Sequence, residues 1–99
     1  MKKYIVSALA GAMSLAALPA WAADAVTLQL KWVAQSQFAG YYVALDKGFY
    51  EEENLDVTIK PGGPDIAPEQ VIAGGGADVV VTWMAAGLAA RDKGVPLVN

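Results

Sequence analysis

The chain has 99 residues, 7 Lys plus Arg against 10 Asp plus Glu, a formal net charge of -3, and neither cysteine nor histidine. Disulfides and the commonest zinc and nucleophile chemistries are thereby excluded. The few basic residues are scattered, which argues against a nucleic-acid partner, because neutralising phosphates takes clustered Lys and Arg.

Residues 1–22, MKKYIVSALAGAMSLAALPAWA, join Lys2 and Lys3 to an apolar run from Tyr4 to Leu18, followed by Pro19 and the ending Ala20-Trp21-Ala22. This pattern predicts a secretory signal peptide cleaved after Ala22. The apolar run is shorter than the ~20 residues that a bilayer core requires of a spanning helix. Residues 23–99 make a segment whose single core is marginal without a metal, disulfides or a partner. The chain stops at Asn99, directly after the apolar run Val95 to Val98. The expectation is a truncated product, with residues 23–99 the N-terminal part of a larger domain.

Val26, Leu28 and Leu30 alternate with Thr27, Gln29 and Lys31, the two-residue period of a strand with one buried face. Phe38, Tyr41, Tyr42, Leu45 and Phe49 then follow the spacing of an amphipathic helix, opened by Ser36 or Gln37, interrupted at Gly48 and closed at Asn54. Leu55, Val57 and Ile59 alternate again, giving a second strand that ends at Pro61-Gly62-Gly63-Pro64. Asp65 is expected to cap a short helix running through Gln70 to Ala73, with Pro68 in its first turn and Gly74-Gly75-Gly76 closing it. Val79-Val80-Val81 is the continuous β-branched run of a parallel strand covered on both faces, which predicts a central third strand. A small-residue helix from Met84 to Lys93, stopped by Gly94, leads to a fourth strand at Val95-Pro96-Leu97-Val98. Strands alternating with helices imply an α/β fold, a right-handed parallel sheet with helices on both faces.

Open parallel sheets bind ligands outside the carboxyl ends of their strands. The residues there are Trp32, Gln35, Gln37 and Phe38 after the first strand, Gly62 and Gly63 after the second, and Thr82 and Trp83 after the third, with Tyr41 near the first group. Aromatic walls with a few amides suit a planar, polar-edged ligand. The helix opening near Gln37 also offers free backbone donors to an anionic group. Core packing competes for part of this set. Phe38, Tyr42, Leu45 and Phe49 repeat at helical spacing and read as core, whereas Trp32 and Trp83 fit a ligand wall or core filling equally. Glu51-Glu52-Glu53 point in different directions on a helix, which is a solvated face rather than a metal or catalytic site. Gly74-Gly75-Gly76 lacks phosphate-loop spacing and reads as a connector.

The segments Lys31-Trp32, Gln37-Phe38-Ala39-Gly40-Tyr41-Tyr42, Asp46-Lys47-Gly48-Phe49-Tyr50, Asn54-Leu55-Asp56-Val57, Pro61-Gly62-Gly63 and Leu88-Ala89-Ala90-Arg91 with Lys93-Gly94 carry a resemblance. The chain resembles the substrate-binding proteins of bacterial ABC importers, in the branch shared with thiamine-pyrimidine-precursor and alkanesulfonate binders. The resemblance implies a two-lobed, type II periplasmic-binding-protein fold that closes on a small molecule in the periplasm. It implies delivery to a permease and its ATPase, which are also the link to the membrane, and it implies no catalytic residue, cofactor or metal. Most of the first lobe would be present. The implied ligand is a thiamine pyrimidine precursor, with a flavin-like compound next and an alkanesulfonate as the alternative.

The same superfamily contains thiamine pyrimidine synthase, an enzyme that makes the pyrimidine phosphate from pyridoxal phosphate and histidine. The chain is similar to it in Trp32, Lys47-Gly48, Leu55-Asp56 and Leu88-Ala89-Ala90. The synthase pattern places its cofactor-anchoring lysine and its sacrificial histidine at Thr82 and Ala86. Where it has Asn-Trp-x-Pro and a later histidine, this chain has Lys31-Trp32-Val33-Ala34 and Phe38. Thr82 has no amine for a Schiff base and Ala86 no imidazole, so the expectation is a binder and not an enzyme.

Overall fold

The computed structural model describes residues 22–99; the expected signal peptide, Ala22 apart, lies outside the described residues. The chain forms strand β1 (Asp24–Gln29), a 3-10 turn (Ser36–Phe38), helices α1 (Ala39–Asp46) and α2 (Phe49–Glu52), strand β2 (Leu55–Lys60), helix α3 (Pro68–Ala73), strand β3 (Val79–Val80) and helix α4 (Met84–Asp92). The three strands lie in the order β2-β1-β3 and pair in parallel. Val26 faces Val57 and Leu28 faces Ile59 on one side of β1, while Leu28 and Gln29 face Val79 and Val80 on the other. The α/β class, the parallel sheet and the flanking helices agree with the expected lobe.

The centre of the sheet is β1, not the valine-rich third strand. Only Val79 and Val80 of that run are strand, and Val79 keeps 49% of its surface exposed. A side chain extends this short pairing: the Thr27 N–H donates to Asp78 Oδ2 at 2.8 Å, and the Asp78 N–H donates back to the Thr27 carbonyl at 2.9 Å. The Val81 N–H adds a bond to the Gln29 carbonyl at 2.9 Å.

A central β1 is covered on both faces, so its polar positions are not all outward. Gln29 is only 3% exposed. Its Nε2 lies 3.0, 3.3 and 3.1 Å from the carbonyls of Leu30, Lys60 and Pro61, and it ties the end of β1 to the end of β2. A buried amide is tolerated because its donors are matched.

The aromatic stripe divides. Phe38 is buried with Leu28, Leu30 and Val57, and Tyr41, Tyr42 and Tyr50 pack partly against that cluster. Leu45 and Phe49 remain about half exposed, contrary to the expected core face. The reason lies at Gly48, whose φ of +75° breaks the helix and re-aims the next turn. Tyr50 then takes the inward position in place of Phe49, and its hydroxyl donates to the Tyr41 carbonyl at 3.2 Å. Asn54 closes this unit with φ of +59°, as its residue type predicts.

Two further expectations change. The cap position of α3 is Ala67, not Asp65, with no side-chain cap, and Pro68 stands fully buried in the first turn. Val95 to Val98 forms no strand. The Val95 N–H returns to the Ala90 carbonyl at 3.0 Å, Pro96 has no donor for a ladder, and Val98 is almost wholly exposed.

Candidate functional site

The strand order turns around at β1, with β2 to one side and β3 to the other, so the segments leaving the strands diverge at one edge. Such a divergence opens the crevice that ligands use in parallel sheets. Lys31 and Trp32 leave β1 there, Pro61 to Gly63 leave β2, and Thr82 and Trp83 leave β3.

The first two segments are fastened together. The Leu30 N–H donates to the Lys60 carbonyl at 2.9 Å and the Gly62 N–H to the Trp32 carbonyl at 3.0 Å. A Cβ on Gly62 would stand 2.4 Å from the Lys31 carbonyl carbon and 2.5 Å from the Leu30 carbonyl oxygen. Only glycine therefore permits this approach, and the approach fixes the backbone of Lys31. Gly63 is buried but a Cβ there would meet nothing within 4 Å.

The third segment meets a residue outside the expected set, Glu69. Glu69, in the first turn of α3, is a buried carboxylate. Thr82 donates its hydroxyl to Glu69 Oε1, and Lys31 Nζ stands 3.9 Å from the same oxygen. Burial pushes the Glu69 pKa up, but the Thr82 hydrogen bond, its own backbone N–H and the Lys31 charge together outweigh it, and the pKa lies below the ordinary glutamate value. Glu69 is thus held as a carboxylate where helix α3 meets the ends of β1 and β3. The sequence signal for it was slight: an acidic residue after a proline in a first helical turn.

The expected site residues take different places. Trp32, 37% exposed, and Trp83, 57% exposed, both stand at the carboxyl edge. Gln35 and Gln37 are exposed, and Gln37 Nε2 donates to Gln35 Oε1 at 2.9 Å. Phe38 lies in the core and Tyr41 packs partly against it. Gly62 and Gly63 form the fastened loop, and Thr82 holds Glu69.

Two hollows border α4, one of them also β3. One of about 630 Å³ is lined by Thr82, Trp83, Met84, Leu88 and Arg91 among others. The other, about 300 Å³ between α3 and α4, is lined by Ala67, Glu69, Gln70, Ala73, Ala86 and Lys93 among others. Trp32, Gln35, Gln37, Phe38, Tyr41, Gly62 and Gly63 line neither.

The chain is similar to three proteins of known name. It is 31% identical over 83 residues to a protein of Haemophilus influenzae named for thiamine biosynthesis, covering 83% of this chain and 26% of that protein. It is 32% identical over 75 residues to the 4-amino-5-hydroxymethyl-2-methylpyrimidine phosphate synthase of Candida albicans, covering 75% of this chain and 22% of the synthase. To the formylaminopyrimidine-binding protein of Halalkalibacterium halodurans it is 30% identical over 78 residues, covering 79% of this chain and 24% of the binder. The chain therefore spans about a quarter of the length of the curated relatives it matches. No solved structure gives a significant match. The family described as NMT1/THI5 like matches residues 35–99, from the loop after β1 through β2, Glu69 and α4, and the chain belongs to that family, which holds both binding proteins and a synthase.

Proposed function

We propose that this chain supplies one wall of a small-molecule site in a solute-binding component of an ABC importer. Its ligand is a thiamine pyrimidine precursor, captured in the periplasm after cleavage following Ala22 and passed to permease and ATPase subunits. The observation that carries the binder reading is Thr82. At the position where the synthase pattern has its cofactor-anchoring lysine, this chain has a hydroxyl bonded to Glu69, and Ala86 stands where that pattern has its histidine. An imine with pyridoxal phosphate needs an amine, and neither side chain has one. The pyrimidine class draws support from the names of two relatives, one a pyrimidine phosphate synthase and the other a formylaminopyrimidine-binding protein.

A thermal-shift panel tests the reading. Pyrimidine precursors are expected to stabilise the protein by mass action, about 2.7 kcal/mol at a hundredfold excess over the dissociation constant. Stabilisation by alkanesulfonates or flavins alone would replace the ligand class. The synthase reading is favoured by the Candida relative, and it requires an imine absorbance band on adding pyridoxal phosphate; the expected result is no band.

A further inference from the structure

Lys31 and Glu69 place opposite charges side by side at the carboxyl edge, each largely withdrawn from solvent. At 3.9 Å the ammonium is too far from Glu69 Oε1 for a hydrogen bond, which leaves its donors for a further acceptor. Both the Thr82 hydrogen bond and the Lys31 approach go to Oε1 of the carboxylate. An ionised carboxylate only accepts and an ammonium only donates, so the pair offers an acceptor and a donor to whatever lies against it.

We propose that Glu69 and Lys31 together read a ligand edge on which an amino group adjoins a ring nitrogen. The amino N–H donates to the Glu69 carboxylate, the ring nitrogen accepts from the Lys31 ammonium, and Thr82 holds the carboxylate in place. The inference rests on the heterocycle-binding reading above and names the feature of the heterocycle that is recognised. Two arguments converge on it. The pair is fixed from three elements: Gly62 packs on the Lys31 backbone, α3 carries Glu69, and the segment after β3 supplies Thr82. A buried carboxylate only accepts, so it favours an N–H donor on the group that lies against it.

Calorimetric titration of the protein with 4-amino-5-hydroxymethyl-2-methylpyrimidine, and with the same pyrimidine lacking its 4-amino group, tests the assignment. The unmodified protein is expected to bind the amino compound at least about tenfold more tightly, because a site built to hydrogen-bond an N–H leaves a buried acceptor unpaired with the other. Glu69→Met should erase that preference. Lys31→Met should weaken both compounds alike, since both keep the ring nitrogen, and this second variant carries the test if Glu69→Met does not fold. Retention of the amino preference in Glu69→Met, or undiminished binding in Lys31→Met, overturns the assignment. Equal binding of the two compounds by the unmodified protein also overturns it, while the heterocycle reading stands. Failure of the unmodified protein to bind either pyrimidine removes that reading and the assignment together.

Discussion

The two sides of β1 are built differently. Toward β2 the pairing runs the full six residues, the following loops are fastened through Gly62 and Gln29, and the buried cluster of Leu28, Leu30, Phe38 and Val57 lies beneath. Toward β3 the strand is two residues long, and Trp83, Met84 and Leu88 are each more than half exposed beside open hollows. Stability therefore resides on the β2 side, and the exposed apolar surface and open hollows lie on the β3 side, where the proposed ligand would enter. Glu69 and Lys31 sit where the two meet, with the lysine anchored in the firm half and the carboxylate carried by the helix that leads to the open half.

Substitutions can break this contrast, and the largest effect belongs to the firm half. Leu30 is completely buried, so Leu30→Ala should cost about 2–5 kcal/mol in urea unfolding. Leu88→Ala on the open side should stay within about 0.5 kcal/mol. A comparable loss at Leu88 would mean that the open side is packed after all.

The glycine pair is a finer probe of the fastened loop. Gly62→Ala forces a Cβ into the backbone of Leu30 and Lys31 and should cost at least about 1–3 kcal/mol, with ligand affinity falling as Lys31 shifts. Gly63→Ala meets open space and should be close to neutral by the same assay. Gln29→Leu comes next. It removes the amide that ties Leu30, Lys60 and Pro61; the Lys60 carbonyl keeps the Leu30 N–H, but losing the amide's bonds to the Leu30 and Pro61 carbonyls should cost about 1–3 kcal/mol.

The effect at Glu69 depends on pH. Its pKa is lower in the folded chain than in the unfolded one, so the carboxylate contributes stability that is present above the unfolded value, about 4.3. That contribution is lost as pH falls through the lower folded value. Unfolding measured from neutral pH down through that range should show a steeper acid decline for the unmodified protein than for Glu69→Gln. Identical profiles would separate Glu69 from the ionised role given to it here.

Those residues also mark what the sequence could and could not reveal. The strands at Val26 to Leu30 and Leu55 to Ile59 were legible because each alternates and half of each faces a core. The buried state of Gln29 was not, because an amide on the second face of a central strand has the same spacing as one facing water. The composition of the valine run predicts a central strand, yet strand order depends on which edges pair, and no local pattern carries that. Leu45 and Phe49 kept helical spacing across Gly48, and a stripe counted through a left-handed glycine loses its phase. Trp32 and Trp83 were correctly brought to one edge by topology alone. Glu69 escaped notice because its partners lie 38 residues before it and 13 after it, and nothing beside it in the chain announces either.

The shortness of β3 has a kinetic consequence. Pairing Leu28 with Ile59 closes 31 residues, and pairing it with Val79 closes 51. The logarithmic growth of closure entropy makes that difference worth only about 0.4 kcal/mol. Chain length thus barely delays the third strand; the meagre reward for docking it does. The β1-α1-α2-β2 unit should assemble first, and damage at Val79 should appear in stopped-flow chevrons as faster unfolding with nearly unchanged refolding.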